Sequence, residues 1–325
     1  MDAAPEPRVK VLSVVGAGRS GTTVLASILG EVEGFVGAGE LRWVWERGVV
    51  AGRPCGCGAA PLQCPVWAPV ITRTLSGLGR AAGSVAVADV VAAQHEVASW
   101  RHYARLLRTV DGDDRGWEAL RLVREVTGSA CTALATTTGA RVLVDTSKRP
   151  ADTAVLAGIP GVDLYVLHLV RDPRAVVHSW RRAKEYTAGG RTSTIGTRGL
   201  AATVRRWTSN GLSAEALRLR LPASRWLFLR YEDFVARPRP AVERILTHLR
   251  EPGPAPFTDD HTVVLRPNHI VAGNPSRFVT GPVEIRADDA WRRAMPRRDQ
   301  RLVGLMTLPL ALRYGYPPFV QGGAR

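Results

Sequence analysis

The chain of 325 residues, 45% of them hydrophobic, is long enough to bury a sizeable core as one large domain. Its formal net charge of +15 rests almost wholly on arginine, since only Lys10, Lys148 and Lys184 of the 44 cationic residues are lysines. Those arginines are scattered and no aromatic-and-basic motif accompanies them, which argues against a nucleic-acid partner and reads as compositional bias, although the excess charge would still attract a small, highly anionic ligand. No run approaches the ~18–20 apolar residues that span a bilayer, so a soluble, cytoplasmic protein is expected, and four cysteines are too few for a disulfide scaffold.

A flexible segment is expected over residues 1–8 and a single domain over 9–325. The first apolar run, 9–15, reads as a strand that empties into Gly16-Ala-Gly18-Arg19-Ser20-Gly21-Thr22-Thr23 and then a helix. The glycines allow successive N–H groups to point inward, and the hydroxyl residues open a helix whose N-terminus favours a phosphate. Gly16-x4-Gly21-Thr-Thr matches a Walker A loop except that Thr22 replaces the lysine. That lysine reaches the β and γ phosphates of a nucleoside triphosphate, so a donor with a shorter phosphate chain is implied, with Arg19 as the nearby cation.

Glu40 follows the first helix and a turn, in Gly37-Ala-Gly-Glu40-Leu-Arg-Trp43. It reads either as a general base returning to the mouth of the loop or as a cap on a helix over 41–47. Within a loop at 52–67, Cys55, Cys57 and Cys64 are open to three readings: a structural knuckle, a disulfide from Cys55 or Cys57 to Cys64, or a metal site. A tetrahedral metal needs a fourth ligand, and Cys131 lies far along the chain in a predicted helix. A helical insertion spans 85–138, where it would cap the sheet or wall a pocket.

Further strands are expected at 141–145, 163–170 and 226–230, each followed by a helix. Between the last two, the glycine- and threonine-rich stretch 184–199 reads as a surface loop or a lid. Short apolar strands alternating with helices predict an α/β fold, a P-loop-like three-layer α/β/α sandwich with a central parallel sheet and helical insertions. Ligands then gather at the carboxyl ends of the strands. Those ends carry the glycine loop, Asp145 to Lys148, Arg171-Asp-Pro-Arg174, and Arg230-Tyr231-Glu-Asp233. In Arg171-Asp-Pro-Arg-Ala-Val-Val-His-Ser179, Asp172 suits a helix N-cap and Pro173 the first helical position. Arg171 and Ser179 then stand where a guanidinium and a hydroxyl can share one phosphate. His168 reads as a core residue of its strand.

Together, Arg19-Ser-Gly-Thr-Thr23 and Arg171-x7-Ser179, in this order after successive strands, resemble the sulfotransferases that use 3′-phosphoadenosine 5′-phosphosulfate (PAPS). The resemblance implies that Gly18, Arg19, Ser20, Gly21, Thr22 and Thr23 bind the 5′-phosphosulfate and Arg171 and Ser179 the 3′-phosphate. It also implies that Tyr231 lies near the adenine, and that a late segment closes over the nucleotide, in which Arg277 would reach the 3′-phosphate while Gly273 and Asn274 shape the loop. Glu40 is similar to the catalytic base of tyrosylprotein sulfotransferases and some bacterial relatives, whereas cytosolic relatives use a histidine. Arg19 would stabilise the leaving phosphate, Lys148 would hold the sulfuryl oxygens, and a small molecule, glycan or natural product would supply the acceptor hydroxyl. No metal is required for this chemistry. Two other readings remain: a P-loop kinase, for which Asp145 is the tempting Mg2+ ligand, and a catalytically inert nucleotide-binding module.

Overall fold

The computed structural model describes residues 8–77, 86–188 and 191–317. All of the expected flexible segment except Arg8, residue 85 of the helical insertion, 189–190 of the glycine-rich stretch, and 78–84 and 318–325 of the domain fall outside these residues. In chain order come β1 (Val9–Val15), α1 (Thr22–Leu29), β2 (Phe35–Gly39), a π-helical stretch (Val44–Val50), α2 (Trp67–Gly77), α3 (Val87–Val97), α4 (Tyr103–Leu107), α5 (Glu118–Thr138), β3 (Val142–Lys148), α6 (Pro150–Ala157), β4 (Val162–Val170) and α7 (Pro173–Arg181). Next follow β5 (Lys184–Ala188), β6 (Arg191–Ile195), α8 (Leu200–Arg218), β7 (Trp226–Arg230), α9 (Tyr231–Ala236), α10 (Pro238–His248), β8 (Thr262–Leu265) and β9 (Gly281–Glu284). Three short helices, α11 (Trp291–Ala294), α12 (Arg297–Met306) and α13 (Leu308–Arg313), end the described chain.

Five strands pair in parallel in the order β2-β3-β1-β4-β7, which puts β1 in the middle with β3 and β4 on either side. Alternation along each strand divides the core into two faces. Val11 and Leu143 pack against α2, α3, α5 and α6 on one side, while Leu12, Val14, Val142, Val144 and Leu167 pack against α1 and α10 on the other. The result is the three-layer α/β/α sandwich expected from the sequence. His168 is buried on β4, edge-on to Trp226, Phe228 and Tyr314.

Two elements depart from the sequence reading. Phe35–Gly39 is a fifth strand, and its glycines answer to packing: a Cβ at Gly37 would lie 2.9 Å from the Ala26 carbonyl oxygen, and one at Gly39 would collide with Val271. The stretch read as a surface loop or a lid at 184–199 contains two antiparallel paired strands, β5 and β6. Among the described residues no helix is long and apolar enough to cross a membrane.

β3 runs past the predicted 141–145 to Lys148 because its polar end is satisfied inside the fold. Asp145, 1% exposed, accepts hydrogen bonds through Oδ1 from the Leu41 and Ser147 amides (3.2 and 3.1 Å) and from Ser147 Oγ (2.6 Å), and through Oδ2 from Ser13 Oγ (3.2 Å). Burial nevertheless raises its pKa from 3.8 to about 6. A folded-state value above the unfolded one gives stability that is present below about pH 4 and lost as pH rises through about 6. Asp145→Asn should therefore remove this loss, so that the variant gains on the parent between about pH 4 and 6 in urea unfolding. A stability difference that stays constant over that range would refute the assignment.

Candidate active site

At the carboxyl end of β1 the chain turns through the glycine loop beneath a cleft of about 1530 Å³. The Gly16 amide donates to the Lys148 carbonyl (3.1 Å), and Asn210 Nδ2 on α8 donates to the carbonyls of both Gly16 (2.7 Å) and Lys148 (3.2 Å). Gly16 packs so closely that a Cβ would run into the Leu169 carbonyl oxygen. Gly21, at φ 78°, is the N-cap of α1 and no side chain caps that helix. The first-turn amides beside Thr22 and Thr23 thus face the cleft as an anion cradle.

Arg19 stands at this cradle in a left-handed conformation (φ 72°), which a residue with a Cβ adopts at a cost of about 1–2 kcal/mol. Its guanidinium lies over the Trp180 ring (4.8 Å), and Nε and Nη2 are buried without a hydrogen-bond partner among the described residues. Burial, then the like charges of Arg182, Arg198 and Arg171, lower its pKa. An anion at the loop would satisfy both the unpartnered nitrogens and the repulsion. Strain is concentrated here: four non-glycine residues among those described have positive φ, and three of them, Arg19, Lys148 and Ala272, line the cleft.

Glu40 sits just beyond β2, 7% exposed, with its carboxylate bonded to Lys148 Nζ through Oε1 and 3.8 Å from Arg47 Nη1 through Oε2. The carboxylate caps no helix, and the Glu40 amide donates to the Val271 carbonyl (2.9 Å). Lys148 Nζ also donates to the Thr146 carbonyl (3.0 Å), so this ammonium holds the carboxylate at the cleft wall. A late strap, 268–278, closes over α1. The Asn274 amide donates to Thr23 Oγ1 (3.1 Å), and a Cβ at Gly273 (φ 88°) would stand 3.1 Å from that oxygen and 3.6 Å from Glu40 Oε1. Arg277 donates to the carbonyls of Gly273, Asn274 and Pro54 (3.1, 3.3 and 3.2 Å), bracing the strap.

Arg171, at the end of β4, donates through Nη1 to the Arg19 carbonyl (2.8 Å) and through Nη2 to the backbone and carboxylate of Asp288 (2.9 and 3.1 Å). It lies over the Tyr231 ring (4.3 Å), which in turn abuts Gly21. Asp172 Oδ1 caps α7 by accepting from the Arg174 amide (2.8 Å), and Ser179 faces the cleft two turns later. Every residue to which the resemblance gives a donor-binding or catalytic role lines this one cleft except Ser20, which is fully buried. Asp145 is absent from the cleft wall and its oxygens are committed to the fold, which removes the metal ligand a kinase would need. Trp180, Asn210 and Asp288 were missed by sequence reasoning. Trp180 adjoins Ser179, and an aromatic beside a candidate anion ligand was the one signal available.

The model of the sulfotransferase family matches residues 85–254, more than half of the chain and including Lys148, Arg171, Ser179 and Tyr231. The chain belongs to the sulfotransferase family. The fold agrees: the sulfotransferase domain of the Synechococcus PCC 7002 olefin synthase superposes with a TM-score of 0.53 over 97% of this chain and 98% of that one, at 17% identity. The sulfotransferase domain from the curacin biosynthetic pathway gives 0.48 over 96% and 99% at 14% identity, and a Mycobacterium avium sulfotransferase 0.41 over 77% and 65% at 17%. No curated protein matches the sequence.

For this sulfotransferase the contact at Gly16 predicts that Gly16→Ala displaces the loop from β4. The expected loss is about 1–3 kcal/mol in denaturant unfolding, together with loss of calorimetric binding of 3′-phosphoadenosine 5′-phosphate. Unchanged stability and binding would show that the loop tolerates a side chain there.

Proposed function

We propose that the protein transfers the sulfuryl group of PAPS to an acceptor hydroxyl whose proton passes to Glu40. The observation that carries this reading is the Arg19 guanidinium, half-buried over Trp180 with two nitrogens that have no partner among the described residues, beside the uncapped N-terminus of α1. Together they offer a charge-dense seat for the 5′-phosphosulfate, and Thr22 in place of the Walker lysine agrees with a donor that has no γ-phosphate. In the transfer, the acceptor oxygen forms a bond to sulfur as the bond from sulfur to the 5′-phosphate oxygen breaks. Glu40 takes the acceptor proton, and Arg19 with the helix amides stabilises the phosphate that leaves. Such chemistry depends on positioning and on neutralising charge. Lys148 ties Glu40 in place, a different use from the expected grip on the sulfuryl oxygens. Arg171 and Ser179 are assigned to the 3′-phosphate, Tyr231 to the adenine side, and Gly273, Asn274 and Arg277 to the shape of the strap.

The cleft wall around Glu40 also suggests the character of the acceptor. Arg206 has its pKa lowered by burial and then by the like charges of Arg198, Arg149 and Arg47, and Arg53 adds its charge beside Arg47. This second group of cations favours a hydroxyl compound that itself bears a carboxylate, phosphate or sulfate.

Three measurements test these assignments. The melting temperature should rise with 3′-phosphoadenosine 5′-phosphate and stay put with ATP and Mg2+; the reverse would return the kinase reading. Glu40→Gln should leave donor affinity nearly intact while turnover falls about 10²-fold to 10⁴-fold, and unchanged turnover would remove Glu40 from the mechanism. Arg171→Ala should weaken donor binding by about 2 kcal/mol through loss of a charge-assisted contact. For the acceptor, Arg206→Ala should lower kcat/KM for carboxylated alcohols more than for their neutral counterparts; an equal effect on both would exclude recognition of an anionic group.

A further inference from the structure

The three cysteines that the sequence left unassigned are joined in the fold by a residue more than two hundred positions away. One donor atom from each of Cys55, Cys57, Cys64 and His269 lies within 4.8 Å of the others. Cys64 Sγ is 3.5 Å from Cys55 Sγ, 3.7 Å from Cys57 Sγ and 3.2 Å from His269 Nδ1, while Cys55 and Cys57 are 2.8 Å apart. A tetrahedral ion with metal–sulfur bonds of about 2.3 Å holds its sulfurs roughly 3.8 Å apart, near the two longer spacings. None of the cysteines is in a disulfide. Cys131, the alternative fourth ligand considered from sequence, is buried in α5 outside this group, with its thiol pushed up to about 12 by burial.

We propose that Cys55, Cys57, Cys64 and His269 form a structural zinc site that fastens the cysteine loop to the strap over the glycine loop. Three thiolates and an imidazole suit a borderline-soft ion such as Zn2+, and four protein ligands leave no open position for a reactive water, so the site serves structure and not catalysis. The surroundings are built to hold the ligands. Trp67 Nε1 donates to the His269 carbonyl (2.6 Å), the Gly56 amide to the Ile270 carbonyl (2.9 Å), and the Trp67 amide to Cys64 Sγ (3.5 Å). Two residues after His269, the Val271 carbonyl receives the Glu40 amide, and soon after comes Asn274, bonded to Thr23. The ion would therefore fix the strap that sets both the proposed base and the first turn of α1.

Full-length protein, purified under reducing conditions from zinc-supplemented cells, should contain about one zinc per chain by elemental analysis. Cys64→Ser and His269→Ala should lose most of it, and Cys131→Ser should retain it. Because a ligand variant can fail to fold, the parent protein supplies a second readout: exchange of its metal for Co2+ should produce the intense visible bands of a tetrahedral thiolate site. Removing the ion with a mercurial and a chelator should lower the melting temperature, and adding Zn2+ back should restore it. Absence of both stoichiometric metal and the cobalt bands would overturn the proposal, as would a disulfide among Cys55, Cys57 and Cys64 found by mass spectrometry after alkylation. Metal content and cobalt spectrum are independent of PAPS and acceptor, so their failure would leave the sulfotransferase reading standing.

Discussion

An excess of guanidinium charge at the carboxyl end of β1 is the constraint to which the rest of the site answers. Burial, and then the like charges of Arg182, Arg198 and Arg171, depress the basicity of Arg19. A second group surrounds Arg206. The carboxylates at the cleft, Glu40 and Asp288, are each held between cations, and neither reaches the unpartnered nitrogens of Arg19. Aromatic faces do much of the holding: Trp180 receives Arg19 and Arg198, Tyr231 receives Arg171, and Trp43 receives Arg42 and Arg47. A ring face attracts a cation without neutralising it, so the guanidinium groups are ordered while their charge stays available.

The backbone supports this arrangement by joining strand ends. Asn210 binds the last carbonyl of β3 and the first of the glycine loop with one amide group, and Asp145 joins the ends of β1 and β3 to the start of the segment carrying Glu40. Left-handed backbone at Arg19 and Lys148 aims two long cations into the cleft from neighbouring strands. Such conformations persist only where the surroundings over-determine them, and here loop, α8 and the sheet all contribute.

Much of the sheet was legible in the sequence. β1, β4 and β7 are apolar runs bounded by turn chemistry, and their carboxyl ends carry the polar residues of the cleft. The glycine loop and the Arg171 to Ser179 segment were readable for the same reason: each is local, with its spacing fixed by one strand-to-helix turn. β2 was hidden because Phe35-Val-Gly-Ala-Gly39 is small, a composition demanded by Ala26 and Val271 pressing on it from elsewhere. Partners set by long-range contact were equally silent. Nothing near Lys148 announces that it binds Glu40, and nothing near His269 announces three sulfurs. Equally silent was the second use of Arg277, which lines the cleft and also braces the strap by donating to three backbone carbonyls.

The strap over α1 also has a consequence for how the molecule comes into being. Residues 262–285 complete a site whose floor is laid by the first 40 residues, so the glycine loop and Glu40 emerge from the ribosome long before their cover exists. Until roughly residue 277 has been made, the cationic end of the sheet lacks the contacts to Val271 and Asn274 that set it. Contacts so distant in sequence form late and slowly. A folding intermediate that has the glycine loop but not yet the strap should therefore hold Glu40 and the first turn of α1 without the contacts that fix them.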